Sequence, residues 1–521
     1  MSKVVSVSAA TPAPIATAAP GFSSTGSVPL PGLTAYVLTF NCARNPVSPA
    51  HLSRNFFVAL PASIPADLAA HRPASSASGS GLGASASNSL PLLLPDLVAV
   101  SLQEIAPIAA AFLGGRHLKP YYDAVGTSLH EFARTEDGEL YELLAAHNVG
   151  MTALLVFVRA GAAAAKVRWV QTAEVGVGLW GMGNKGAIGV RIGCSVAATA
   201  DEGVDEEETQ ITFLAAHMAP MENGIARRNE DWANIARNLV FVDPDADARR
   251  TDDGASLSES AQARHRRQLS AEKSSRLYNT TSHVVVAGDL NYRTASHSPS
   301  PSDYRTYPQP VKSADDPAHF SHWLVRDQLR REMRAGHTMQ GFVEAGPIEW
   351  PPTYKWKTEL EEESPSEEEL PDAGEDHWPW AKHRYPSWCD RILYLPFPAP
   401  LSAPSEPEPA PAPSASVPLS YGPLPLQPGS DHLPVAASFY FAPSAPLQTA
   451  AAAADADLRA HPPFPLAPDW RARRAAARRR ELVVGALAWL AMTRDGVAVL
   501  LGTVVGAVGV AWAVGWLVGE R

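Results

Sequence analysis

The chain has little cysteine and no excess of positive charge. Its 521 residues include three cysteines, Cys42, Cys194 and Cys389. That number and spacing exclude a disulfide framework and a thiolate metal site, and suit a reducing cytosol. Lysine and arginine number 43 against 54 aspartates and glutamates, a formal charge of −11. A general nucleic-acid binder would carry a basic stripe, so this balance counts against one. The amino terminus is rich in Ala, Pro, Ser and Thr and lacks the long apolar core of a secretory signal. There is no internal repeat of the solenoid kind.

What is present is a set of polar clusters attached to apolar strands. Val284-Val285-Val286-Ala287-Gly288-Asp289-Leu290-Asn291-Tyr292-Arg293 reads as a buried strand running into a polar tip. Asp289 and Asn291, two apart, project from one side of the strand end. A second cluster, Tyr385-Pro386-Ser387-Trp388-Cys389-Asp390-Arg391-Ile392-Leu393, also sets polar groups beside a strand. A third, Ser430-Asp431-His432-Leu433-Pro434-Val435, precedes the apolar run that ends at Phe441. Any one of these is ordinarily a turn, a cap or solvated surface. Packing needs alone do not produce all three in this order.

Together they resemble the inositol polyphosphate 5-phosphatase family, whose signatures run approximately W-x-G-D-x-N-[FY]-R and P-[AS]-W-C-D-R-[IV]-L. The second matches from Pro386 to Leu393; the first matches from Gly288 to Arg293, with Val286 where the family usually has an aromatic. Thr39-Phe40-Asn41, Gln103-Glu104, Gly183-Asn184-Lys185-Gly186, Ala216-His217-Met218-Ala219, Arg227-Arg228-Asn229-Glu230-Asp231, Pro352-Thr353-Tyr354-Lys355 and Lys382-His383-Arg384 are similar to further family blocks. Order and approximate spacing hold from about Leu33 to Phe441. The resemblance implies a deoxyribonuclease-like four-layer α/β/β/α sandwich with one Mg²⁺-dependent site at its edge.

Cleaving a phosphate monoester requires a positioned water, stabilisation of the phosphoryl oxygens and help for the leaving oxygen. Asp289 is the candidate to orient or deprotonate the water, Asn291 to hold a phosphate oxygen, and His432 and His217 to donate hydrogen bonds to the phosphoryl group. Hard oxygen ligands point to Mg²⁺. Glu104 is the first choice as ligand, with Asn41 and Asp431 in support. The resemblance further implies that Asp390 orients and charges His432, and that Tyr354, Lys355, Lys382 and Arg384 bind a neighbouring phosphate on the inositol ring. Arg391 and Asn184 complete the expected substrate contacts, although Asn184 and Lys185 also read as turn residues that support the fold. His283 and His265 read as structural and solvated.

The expected organisation is a low-complexity segment at 1–32, a catalytic domain at 33–441, a linker with an arginine cluster at 442–481, a short apolar and interfacial segment at 482–495, and a membrane anchor at 496–519. Insertions are expected at 66–89, 243–274, 359–376 (strongly acidic) and 396–428 (rich in Pro, Ala and Ser). The anchor carries no charge, is longer than the roughly 20 residues that cross a bilayer core of about 30 Å, and has Trp512 and Trp516 near its distal end. Arg471, Arg473, Arg474, Arg478, Arg479 and Arg480 precede it, which places the catalytic domain in the cytosol by the positive-inside rule. This is the pattern of a tail-anchored protein, with the endoplasmic reticulum as the default membrane. An anchor favours a lipid substrate, phosphatidylinositol 4,5-bisphosphate hydrolysed to the 4-phosphate, over soluble inositol phosphates. The alternatives are another phosphodiesterase of the superfamily, a nuclease or sphingomyelinase, or a catalytically silent tether. No protein partner is legible.

Overall fold

The computed structural model describes residues 32–57, 60, 94–135, 138–197, 206–242, 274–358, 377–396, 416–443 and 458–519. The segment 1–31, the expected insertions at 66–89, 243–273 and 359–376, and residues 397–415 lie outside the described residues.

Fourteen strands are described. In chain order they are β1 (Leu33–Asn41), β2 (Leu97–Gln103), β3 (Arg134–Thr135), β4 (Gly138–Glu139), β5 (Tyr141–Val149), β6 (Thr152–Arg159) and β7 (Val167–Gly176). They continue as β8 (Gly186–Ala197), β9 (Glu206–His217), β10 (Ser282–Asp289), β11 (Val343–Glu344), β12 (Asp390–Leu395), β13 (Ser416–Pro423) and β14 (Val435–Phe441). The main helices are α1 (Ile108–Leu113), α2 (Lys119–Phe132), α3 (Ile225–Asn238), α4 (Gln328–Arg334), α5 (Trp470–Met492) and α6 (Arg494–Gly519). Twelve strands form two six-stranded sheets, ordered β13-β14-β1-β2-β6-β5 and β11-β12-β10-β9-β8-β7, while β3 and β4 make a separate hairpin.

The central strands are apolar on both faces because both faces are covered. In β1, Ala35 and Val37 join a core with Val190, Phe213 and Val285 of the other sheet, while Tyr36 and Leu38 pack outward with Val125 and Leu129 of α2. In β10, Val285 and Ala287 face the inter-sheet core, and Val284 and Val286 face Trp232 and Ile235 of α3. The result is the expected four-layer α/β/β/α sandwich. Val286, the departure from the family signature, belongs to this outer packing and not to the polar tip.

Two expectations change. The proline-rich stretch 396–428 was expected to be an insertion throughout, yet Ser416–Pro423 is an edge strand paired with β14. An edge strand tolerates Pro418 and Pro423, whose missing N–H groups need no partner on the open side, and the register shifts between Pro418 and Ser420. The region after 441 is also not a slack linker where it is described. Leu458 and Phe464 pack on the outer core, and a single helix, α5, runs across the expected boundary at 481/482 with Ala477, Glu481 and Gly485 buried on one face. Helix α6 follows after Thr493; within its span Arg494–Val518, the most apolar 18-residue window has mean hydropathy 2.3 and no buried residue.

Candidate active site

Strand direction gathers the polar clusters. The parallel pairs β1/β2 and β9/β10 end together, and the antiparallel strands β12 and β14 begin beside those ends. Register then sets Asp289 between Asp390 on one side and His217 on the other, and pairs Asn41 with Gln103.

Asp289 is buried and held at both oxygens, with acceptor capacity left over. Its Oδ2 accepts from Asn41 Nδ2 at 2.9 Å, a bond that ties the two sheets together, and Oδ1 accepts the Asn291 N–H at 3.0 Å. His217 Nε2 lies 3.3 Å from Oδ2. Burial would raise this carboxyl, but the His217 hydrogen bond and the charges of His432 and Lys185 outweigh it and hold Asp289 well below the usual range. Asn291 takes a left-handed backbone, φ 58°, and donates from Nδ2 to the Met218 carbonyl at 3.1 Å. Such a conformation in a non-glycine residue is held by its surroundings.

On the other flank, His432 Nδ1 donates to Asp390 Oδ2 at 2.8 Å, and Thr353 Oγ1 donates to the same oxygen at 2.7 Å. Burial opposes a charged His432, yet the charge and hydrogen bond of Asp390, with Asp289 and Asp431 behind, raise it to about 9. It is therefore an imidazolium at neutral pH, with its second nitrogen, Nε2, 4.0 Å from Asp431 Oδ1. Burial lifts Asp390, and the neighbouring imidazolium opposes that rise.

Lys185, read from the sequence as a turn residue, reaches into the site: its Nζ contacts His217 Nε2 and lies 3.4 Å from Glu104 Oε1. Burial lowers this lysine, with Asp289 and Glu104 opposing. Burial and the Lys185 charge lower His217, which is therefore neutral. Its Nε2 is engaged with Lys185 and Asp289, and its Nδ1 is buried without a hydrogen-bond partner among the described residues. Arg293, which closes the first signature, also belongs to the site. It is 3% exposed, contacts Asn291 Oδ1, and lies 4.2 Å from the Tyr354 ring centre.

Of the expected phosphate-binding groups, Tyr354 packs against His432 with ring centres 4.7 Å apart and planes tilted by 44°, and Lys355 donates to Asp431 Oδ2 at 2.7 Å. Lys382 lies over the Tyr304 ring, and Arg384 sits 3.7 Å from the buried Glu222. The Lys355 and Lys382–Arg384 segments adjoin through the bond from the Ala381 N–H to the Lys355 carbonyl, 3.0 Å. Asn184 flanks the Gly178 turn and is half-buried.

Arg391 is corrected. Its side chain is fully buried, 3.1 Å from Asp327 Oδ2 and in contact with Glu344 Oε1, so it cannot meet a substrate. It alternates with Asp390 along β12 and therefore points away from the site. Its role is structural: Asp327 also caps α4 by accepting the Arg330 N–H at 2.9 Å, so the arginine fastens that helix to the sheet. Removing one partner of a buried ion pair costs about 3–5 kcal/mol. Arg391→Ala is expected to lose about that much stability in urea unfolding; a loss under about 1 kcal/mol would contradict this packing.

For a metal, the donor set is carboxylate and amide oxygen. Glu104, φ 46°, has a quarter of its side chain exposed, with Arg44 3.3 Å from Oε2 and Lys185 3.4 Å from Oε1. Asn41 Oδ1 accepts the Ala43 N–H at 3.0 Å and keeps a second lone pair. One carboxylate plus an amide oxygen fits a hard divalent cation that retains water ligands. Asp289, Asp390 and His432 also offer ligand atoms within 4.8 Å of one another; Asp390 Oδ1 is buried without a hydrogen-bond partner among the described residues, while Asp289 accepts from Asn41 and His432 Nδ1 donates to Asp390 Oδ2.

The chain belongs to the endonuclease/exonuclease/phosphatase family 2, whose model matches residues 38–438. It is related to type I inositol polyphosphate 5-phosphatase 4 of Arabidopsis thaliana, 30% identical over 42% of this chain and 31% of the relative. It is likewise related to the type II inositol 1,4,5-trisphosphate 5-phosphatase of Mus musculus, 26% identical over 58% of this chain and 24% of the relative. The match thus spans less than a third of either relative's length. Among solved structures, it is similar to the inositol polyphosphate 5-phosphatase domain of SPsynaptojanin in complex with inositol (1,4)-bisphosphate and calcium. That similarity has 21% identity, TM-score 0.47, and covers 79% of this chain and 84% of that one.

Proposed function

We propose that the chain is a metal-dependent phosphoric monoester hydrolase that removes the 5-phosphate from inositol phosphates, with phosphatidylinositol 4,5-bisphosphate as its preferred substrate. The observation that carries the reading is the charged Asp390–His432 pair beside an ionised Asp289 at the ends of paired strands. The names of the related 5-phosphatases supply the substrate class.

In this reading Asp289 orients the attacking water and receives its proton; Asn41, His217 and the Asn291 N–H fix the carboxylate's direction. His432, held by Asp390 and Thr353, donates from Nε2 to the phosphoryl group as charge develops. Lys355, Arg384, Lys382 and Tyr354 bind an adjacent ring phosphate. Glu104 and Asn41 would hold the divalent cation, taken as Mg²⁺, with Asp431 nearby; the ion would supply positive charge to the phosphoryl oxygens. Helix α6 spans a membrane, expected to be the endoplasmic reticulum, with the catalytic domain on the cytosolic side.

The test is phosphate release by the full chain in vesicles, comparing the 4,5-bisphosphate lipid with soluble inositol 1,4,5-trisphosphate, DNA and sphingomyelin. The expected result is preferential release from the lipid, lost on chelation and restored by Mg²⁺. Equal or better turnover of the soluble trisphosphate would remove the lipid preference. Cleavage of DNA or sphingomyelin alone would replace the reading with another phosphodiesterase of the family, and no turnover of anything would leave a tether.

A further inference from the structure

Helix α5 buries Ala477, Glu481 and Gly485, spaced by four along one face. Two of these are small residues that permit close approach. A β-carbon on Gly485 would lie 2.9 Å from Phe112 Cβ, at the end of α1. The third is a glutamate with no exposed side chain. A carboxylate is retained in such a place only with partners that satisfy it. Glu481 Oε1 accepts the Gly183 N–H at 2.9 Å, Arg478 lies 3.3 Å from Oε2, and Arg474 lies 3.6 Å from Oε1.

The same two arginines bind the domain directly. Arg478 donates to the carbonyls of Phe112 and Leu113 at 2.6 and 3.1 Å, satisfying the end of α1, and Arg474 pairs with Glu174 of β7. Arg480 donates to the Trp180 carbonyl at 2.9 Å. Part of the arginine cluster that reads from the sequence as the cytosolic, positive-inside flank of the anchor is therefore a set of clamps on the catalytic domain.

The gripped turn leads into the active site. Gly183 is held on its carbonyl by the Met151 N–H at 2.8 Å and on its N–H by Glu481. A side chain there would bring Cβ within 2.6 Å of Gly150 N, so the backbone has no room to slide. Two residues on, Lys185 contacts His217 and approaches Glu104. At its other end α5 is joined to α6 through Thr493, which accepts the Gly496 N–H at 3.0 Å and so caps the membrane helix it precedes.

We propose that helix Trp470–Met492 is a working part of the active site: Glu481 is a positioning residue that holds the Gly183–Lys185 turn, so that Lys185 reaches Glu104 and His217, and the membrane helix is joined rigidly to that turn. This rests on the phosphatase reading of the site for its kinetic consequence, but the contact itself does not. A protein cut after β14 would lack the clamp.

The experiment uses the full chain in vesicles containing the 4,5-bisphosphate lipid, together with amide exchange at Gly183. Glu481→Ala is expected to lower kcat about tenfold or more with KM within about twofold, because the group displaced acts at the reacting centre. Glu481→Gln, whose amide oxygen still accepts the Gly183 N–H, restores most of kcat, and Arg479→Ala, at an exposed position on the same helix, changes neither constant. In the wild type the Gly183 amide exchanges as slowly as core-strand amides, and faster in Glu481→Ala. If Glu481→Ala does not fold, Gly485→Leu, which forces the helix off Phe112 with Glu481 intact, is expected to show the same fall in kcat. Wild-type kcat in the disrupting variant, a Gln variant as poor as Ala, or rapid Gly183 exchange in the wild type would each overturn the proposal. A wild type that releases no phosphate while Gly183 stays protected would sink the activity reading and leave the clamp standing.

Discussion

Asp289→Asn is expected to reduce phosphate release by about 10²- to 10⁴-fold while the protein stays folded. The substitution keeps the side chain's shape at a position that is 1% exposed, so no cavity forms. What it removes is the negative charge. That charge is maintained against burial by the His217 hydrogen bond and by His432 and Lys185, and in return it helps keep His432 protonated. An amide cannot receive a proton from water, and it weakens the field at the imidazolium. Single-turnover release with the 4,5-bisphosphate lipid, beside a thermal melt, separates the two effects. A variant that melts normally and keeps a tenth or more of the wild-type rate would show that another group activates the water.

The three clusters were legible because their chemistry lies in short contiguous runs next to strands whose apolar residues announce themselves. The clusters lie at the end of β10 and at the starts of β12 and β14, and the sheets bring Asp289, Asp390 and His432 together beside Asn41 of β1. The misreadings arose where the deciding partner is remote. Arg391 is a charged residue within a motif and reads as a ligand for phosphate; its acceptors Asp327 and Glu344 lie 64 and 47 positions away. Lys185 looks like turn punctuation because nothing near it in sequence shows that Gly186 pairs with His217. β13 hid behind its prolines, which only an edge position excuses. The docking of α5 depends on one carboxylate meeting a glycine N–H 298 residues earlier, and its arginines resemble any juxtamembrane cluster until those contacts are seen.

Asp390→Asn tests the other half of the site through its pH dependence. His432 titrates near 9 because Asp390 holds its proton, so wild-type kcat/KM is expected to be flat through neutrality and to fall along an alkaline limb near pH 9. With asparagine the hydrogen bond survives in part but the charge is gone. The alkaline limb should then move down toward the ordinary imidazole value of about 6.5, with activity at pH 7.5 falling by about tenfold. Linkage gives an independent check. His432 has a raised folded-state pKa, so its stabilising contribution is fully present below about pH 6.5 and is lost as pH rises through about 9. Between those limits the wild type's urea midpoint should therefore drop more steeply with rising pH than that of Asp390→Asn. A variant whose alkaline limb stays at 9 would show that Asp390 only packs the ring and that the proton acting on the phosphoryl group resides elsewhere; Lys185, already in contact with His217, would then be the next group to replace.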